Sequence, residues 1–243
     1  MNFLKKLKKP KSKEDEAFLI SLKSIIGYKP KNIFYYKKAF THSSVKKIKD
    51  GKPYNYERLE FLGDSFLDAI IANYLYKNAP LRDEGYLTQM RSKIVSRQNL
   101  NKIGKDLQLT KYVHSTVAEE KFGENIFGNI FEALIGAIFL DKGYSGCEKF
   151  IHKVVIKPYV NIEKLEGKIT SYKSVLIEYC QKKKKEIKFD IYEDNAKEKV
   201  KHFSVRLSIN NKVISKGRAT SKKKAEEIAS KRAYYSFQSS IEK

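Results

Sequence analysis

Residues 126–140 read Ile-Phe-Gly-Asn-Ile-Phe-Glu-Ala-Leu-Ile-Gly-Ala-Ile-Phe-Leu, a run that is apolar on nearly every face of a helix. Such a helix has no side to give to water and belongs inside a packed core. Ala133, Gly136 and Ala137 keep one flank thin enough for a second helix to approach closely. Asn129 and Glu132, three residues apart, share a face. A carboxylate flanked by Phe131, Ala133 and Leu134 is costly unless a buried arginine, backbone donors or a metal ion satisfies it.

A candidate partner helix lies upstream, at Glu57-Arg58-Leu59-Glu60-Phe61-Leu62-Gly63-Asp64. At about 100° per residue, Glu57, Glu60 and Asp64 fall within roughly 60° of one another. No Lys or Arg stands three or four residues from any of them, so pairing along the helix does not explain them. Their repulsion is offset by a tertiary cation, a shared proton or a metal ion. In a chain of formal net charge +22 we favour a hard divalent cation. If the two helices pack face to face, Glu60, Asp64, Asn129 and Glu132 make an all-oxygen site that suits magnesium or manganese better than zinc.

Fifty Lys plus Arg against 28 acids imply an anionic partner, although a lysine-rich coding bias would also raise the charge. The lysines are spread over both halves, which argues against one membrane-surface helix. No apolar run is long enough to cross a bilayer. Met1 to Lys13 is lysine-rich without the apolar stretch of a secretory signal, and is expected to be a basic arm. Cys147 and Cys180 have no Cys-x-x-Cys spacing and read as reduced residues of a cytoplasmic protein. The four histidines are scattered without ligand spacing and suit packing or surface roles.

The 243 residues suffice for two domains. Helical signals cover 14–26, 33–40, the acidic helix from 57 to about Lys77, one long helix from about Tyr86 to Leu107, 126–140, and Cys147 to Val155. After Pro158 the pattern changes. A helix at 171–183 precedes alternating strands at Ile187–Ile191 and Phe203–Ile209. A tight turn at Asn210-Asn211 leads into Val213–Ser215, and a lysine- and alanine-rich helix closes the chain. We expect an all-α domain over 14–158, a linker over 159–168 and a small α+β unit of order α-β-β-β-α over 169–240.

The octapeptide 57–64 resembles the signature of ribonuclease III, the endonuclease that cuts double-stranded RNA. Phe40-Thr41-His42-Ser43, Glu84-Gly85 and Glu132-Ala133-Leu134-Ile135-Gly136-Ala137 match the same family in order and spacing, from about residue 14 to 158. The resemblance implies that Glu60, Asp64 and Glu132 bind the catalytic magnesium, with Asn129 as a fourth ligand. It implies that Glu57 and Glu84 complete the cleavage centre and that Phe61 enters a pocket on a partner subunit. Phe61 read from the residues alone suits a core aromatic equally well. Asn129 departs from the family's usual Asp and removes one negative charge. Asp68, one turn beyond Asp64 on the same face, either restores negative charge near the site or, as we favour, is a solvated surface acid.

The C-terminal unit resembles the double-stranded-RNA-binding domain. Its match is Gly217-Arg218-Ala219-Thr220-Ser221-Lys222-Lys223-Lys224-Ala225-Glu226, with Ala219 where the family has a second glycine. Thr220 or Ser221 can cap the last helix, so that its N-terminal amides and Lys222, Lys223 and Lys224 face phosphates. Ser174 and Glu178 would meet one minor groove, and the loop Asp194 to Lys201 the next. Lys199 stands where the family has a histidine.

Together these features imply a homodimeric, magnesium-dependent endoribonuclease in which manganese can substitute, with no small-molecule cofactor and no membrane partner. Duplex RNA of ribosomal precursors and messenger stems would be cut to 5′-phosphate and 3′-hydroxyl ends. Carboxylate-held magnesium can activate water and stabilise the phosphate without a Ser or His nucleophile. The rival is a non-cleaving duplex-RNA scaffold of the same fold, favoured only by Asn129.

Overall fold

A computed structural model of the protein describes residues 12–166, 169, 171–194 and 201–241. Local signals set the first helices. Helix α1 (Lys13–Ile26) begins at Ser12, whose hydroxyl accepts from the Asp15 amide, and ends at Gly27 with φ 84°. Asn32 caps α2 (Ile33–Ala39). Asp141 ties the start of α2 to the core, accepting from the Lys31 and Asn32 amides and the Tyr36 hydroxyl. A short hairpin, β1 (Ile48–Lys49) with β2 (Lys52–Pro53), precedes α3 (Glu57–Asn78).

Two later helices, α4 (Glu84–Ile94) and α5 (Arg97–Asp106), replace the single long one expected over Tyr86–Leu107. Ser96 leaves the helix in extended backbone, at φ −57° and ψ 142°. The Asn99 side-chain amide donates to the Ile94 carbonyl at 2.6 Å, closing the end of α4. The break turns Arg97 into the first turn of α5.

At the centre lies α6 (Ile126–Ile151), buried continuously from Ile130 to Ile138. Gly143, at φ 69° and ψ −169°, interrupts it between the two helices expected at 126–140 and from Cys147. A π-helical turn (His152–Ile156) and α7 (Lys157–Tyr159) follow. Gly63 and Gly136 let α3 and α6 touch. A Cβ on Gly63 would lie 1.7 Å from the Glu132 carbonyl oxygen, and one on Gly136 would lie 2.2 Å from that of Leu59. This contact carries the acidic face of α3 to the Asn129–Glu132 face of α6.

Within the segment expected to be a linker, residues 162–166 form α8 (Ile162–Glu166). Buried Lys93 donates to the carbonyls of Leu165 and Glu166, at 2.8 and 3.1 Å. The Glu166 carboxylate accepts from Arg82 and from the Tyr86 hydroxyl. The chain divides into two compact units after Glu166.

The second unit runs α9 (Tyr172–Lys182), β3 (Ile187–Asp194), β4 (His202–Ile209), β5 (Lys212–Ala219) and α10 (Lys222–Ile241). The strands form an antiparallel sheet in the order β3-β4-β5. Asn210 and Asn211 are both left-handed, at φ 49° and 62°, and turn β4 into β5 in two residues. Val205, Leu207 and Ile209 point one way along β4 and pack on Leu176, Cys180, Ala225, Ala229 and Ala233. Strand β5 runs beyond the expected Ser215. Gly217 belongs to it, because a Cβ there would meet the α10 backbone 2.1 Å away, at the Ala225 carbonyl oxygen.

Candidate active site and nucleic-acid interface

Glu132 is 2% exposed on the buried helix α6. Burial pushes its carboxyl up to about 7; Arg97 pulls it back, while Asp64 and Glu60 add to the rise. Glu60 is raised by burial as well, against Arg97 and with help from Glu57 and Asp64. The four acids and Arg97 thus share one electrostatic site built across the α3–α6 contact.

Arg97 is the residue that the sequence did not single out. Its Nη1 donates to Asn129 Oδ1 at 2.7 Å and to Glu132 Oε2 at 3.3 Å. This is the arginine weighed as one alternative for satisfying Glu132, but its side chain is 45% exposed instead of buried. Glu57 begins α3 held by Asn55, whose side-chain amide donates to Glu57 Oε2 at 3.0 Å. Glu84 opens α4, where it accepts from Thr88 Oγ1 at 2.8 Å; the charges that raise Glu60 and Glu132 belong to other residues.

Two further positions differ from simple surface or core roles. Asp68 is not a solvated acid. Its Oδ1 is buried without a hydrogen-bond partner, and burial raises its carboxyl against the pull of Arg91, with Asp64 adding to the rise. Phe61 is 78% exposed and so is not a core aromatic in this chain.

The donor set fits a hard cation in its chemistry. Glu60, Asp64 and Glu132 offer carboxylate oxygens against one guanidinium, and Glu132 stays raised despite it. The orphaned Asp68 oxygen lies one turn from Asp64. Among the described residues, however, no three His, Cys, Asp or Glu side chains already converge as a ligand set. Arg97 stands on the Glu132 oxygen instead.

In the second unit, Ser221 caps α10, accepting from the Lys224 amide at 3.3 Å. Lys222, Lys223 and Lys224 are exposed on its first turn. Ser174 and Glu178 are exposed a turn apart on α9, and Glu178 pairs with Lys182 at 2.9 Å. Lys199 and most of the 194–201 loop lie outside the described residues, as does the basic arm up to residue 11. Among the described residues, no helix is long and apolar enough to cross a membrane.

A helical unit with acids on both sides of the α3–α6 contact, followed by a basic α-β-β-β-α module, is the arrangement expected of a nuclease that works on duplex nucleic acid. Residues 32–159 match the ribonuclease-III-like family, and residues 172–235 match the double-stranded RNA binding motif. The chain is 57% identical to ribonuclease 3 of Flavobacterium psychrophilum, covering 100% of this chain and 99% of that one. It is 54% identical to ribonuclease 3 of Zunongwangia profunda, covering 99% and 100%. The solved nuclease domain of Campylobacter jejuni ribonuclease III is similar at 32% identity and TM-score 0.51, over 57% of this chain and 96% of that one. The chain belongs to the ribonuclease III family and is an endoribonuclease of double-stranded RNA.

Proposed function

We propose that this endoribonuclease depends on magnesium, with manganese able to substitute, and leaves 5′-phosphate and 3′-hydroxyl ends. Its proposed substrates are duplex stems of ribosomal RNA precursors and messenger RNA, cut in the cytoplasm by a homodimer. The supporting observation is Glu132, a nearly buried carboxylate that one half-exposed arginine does not balance, facing Glu60 and Asp64 across the Gly63–Gly136 contact.

Glu60, Asp64 and Glu132 would hold the ion through carboxylate oxygens, and Asn129 would add an amide oxygen beside its bond to Arg97. Bound magnesium would supply an activated water and charge stabilisation on the scissile phosphate. Glu57 and Glu84 would complete the centre, and Asp64 and Glu132 would orient the ion against the strand. An ion held there would compete with Arg97 for the Glu132 carboxylate, whose Oε2 accepts from Nη1. Lys222, Lys223 and Lys224 would hold backbone phosphates while Ser174, Glu178 and Lys199 reach the minor grooves. The homodimer is supported by exposed Phe61 and by the Campylobacter jejuni relative, whose nuclease domain has a region involved in dimer formation. A two-fold dimer would present one centre to each strand.

The test is long duplex RNA incubated with wild-type protein and Glu132→Ala, with magnesium and with chelator. Short duplex products from the wild type in magnesium alone are expected. Bound RNA without product in every lane would favour the scaffold.

A further inference from the structure

We infer that Arg97 holds a phosphate of the RNA strand at the cleavage centre, kept in aim by Asn129. The inference rests on the proposed active site being where the cut strand lies. Arg97 sits one residue beyond the Val95–Ser96 break, at the first position of α5, and reaches across to α6.

One nitrogen makes both of its contacts, Nη1 to Asn129 Oδ1 and to Glu132 Oε2. A guanidinium carries five N–H groups in a planar fork, and these contacts use the two on Nη1. The three N–H groups on Nε and Nη2 make no hydrogen bond among the described residues, and the side chain is 45% exposed. That free edge is the side-on fork that grips two oxygens of a phosphate.

The contact pattern argues against a pure counter-ion. An arginine kept only to neutralise Glu132 would make its shorter bond to the acid. Here the 2.7 Å bond goes to the neutral amide and the 3.3 Å bond to the carboxylate. An amide anchors the guanidinium without consuming its charge. Gly128 makes room for it, since a Cβ there would lie 3.3 Å from Nη1. A phosphodiester entering among Glu57, Glu60, Asp64 and Glu132 meets like charge from each of them, and Arg97 is the cation standing in that group.

The test uses the full chain and duplex RNA in chelator, with affinity measured over a salt series for wild type, Arg97→Gln and Arg97→Lys. Gln keeps an N–H for Asn129 but loses the charge; Lys keeps the charge but loses the fork. Arg97→Gln should weaken binding about threefold and lower the salt slope by about one per chain. Arg97→Lys should keep the slope yet cleave about tenfold more slowly in magnesium, because a point charge cannot grip two oxygens. An unchanged slope in Arg97→Gln overturns the inference, including where melting temperature and cleavage both fall, since that pattern marks a structural role. If Arg97→Gln does not fold, Arg97→Lys cleaving at the wild-type rate overturns it. Wild-type protein that cleaves with no divalent ion would sink the proposed active site, while the salt series would still report on Arg97. Loss of cleavage in Glu132→Ala beside an unaltered Arg97→Gln would sink this inference alone.

Discussion

Gly63 of α3 and Glu132 of α6 lie backbone to backbone, so close that a Cβ at residue 63 would stand 1.7 Å from the Glu132 carbonyl oxygen. That atom is part of a helix and has no flexible end to move aside. Gly63→Ala must therefore push α3 away from α6, widening the gap between Glu60 or Asp64 and Glu132. Overpacking of this kind costs about 1–3 kcal/mol or more. Thermal melting should show a drop of several degrees, and cleavage should fall further than the lost stability explains. A variant that melts and cuts like wild type would mean that the helices do not meet there.

The Glu132 carboxyl is pushed up to about 7 from an ordinary 4.5, burial being the largest cause. An unfolded chain releases that proton near 4.5 and the folded chain near 7. Between the two the folded state binds more protons, so stability in chelator falls as pH rises through this window. The full effect is on the order of 3 kcal/mol. Glu132→Gln removes the group and should flatten that part of the slope. Denaturant unfolding at pH 5 and pH 8 compares the two, and parallel pH dependences would contradict the assignment. With magnesium present the proton and the ion compete, so apparent metal affinity should weaken below about pH 7.

Why the sequence revealed some of this site and concealed the rest follows from the kind of signal each residue carries. Burial of 126–140 was legible because hydrophobicity on all faces admits one environment, and the α3 acids were legible because helical spacing alone brings them together. The Asn210-Asn211 turn was equally local, since its left-handed backbone suits Asn. The break at Val95–Ser96 was not legible. Helical periodicity runs straight through it, and what closes α4 is the Asn99 side chain on the Ile94 carbonyl. Missing that break meant missing Arg97, whose aim at Asn129 depends on it. The burial of Asp68 Oδ1 depends on neighbouring helices, which its position along α3 does not reveal. Helix α8 has only five residues and depends on Lys93, some seventy positions earlier.

Asn129→Asp should keep or raise magnesium affinity, because it adds a negative charge beside Glu132. The gain is offset in part by a tighter pair with Arg97, now carboxylate to guanidinium instead of amide to guanidinium. Titration of the protein with manganese in the absence of RNA, read by calorimetry, separates affinity from turnover. Weaker binding in Asn129→Asp, or loss of all cleavage at saturating magnesium, would exclude residue 129 from the ion's surroundings.

Replacing Lys222, Lys223 and Lys224 together by Ala removes three exposed charges from the first turn of α10 while keeping the Ser221 cap. Alanine is a good helix former, so the module should remain folded. Duplex RNA affinity should fall steeply, with the salt slope reduced by about two to three. Gel-shift titrations at several salt concentrations measure both. A slope that does not change would place the phosphate contacts elsewhere.

Phe61 projects from α3 with 78% of its surface exposed, on the helix that also carries the acidic cluster. A large aromatic in that position contributes little to the core of its own chain, so Phe61→Ser should leave monomer stability within about 0.5 kcal/mol. If a second copy covers it, the same change removes a buried anchor worth about 2 kcal/mol or more per contact. A two-fold interface contains two such contacts, so the dimer dissociation constant should rise by about a thousandfold. Analytical ultracentrifugation over a dilution series, beside thermal melting, distinguishes these effects. A variant that stays dimeric to the wild-type dilution limit would remove Phe61 from the interface, and a wild type that sediments as a monomer throughout would remove the dimer itself.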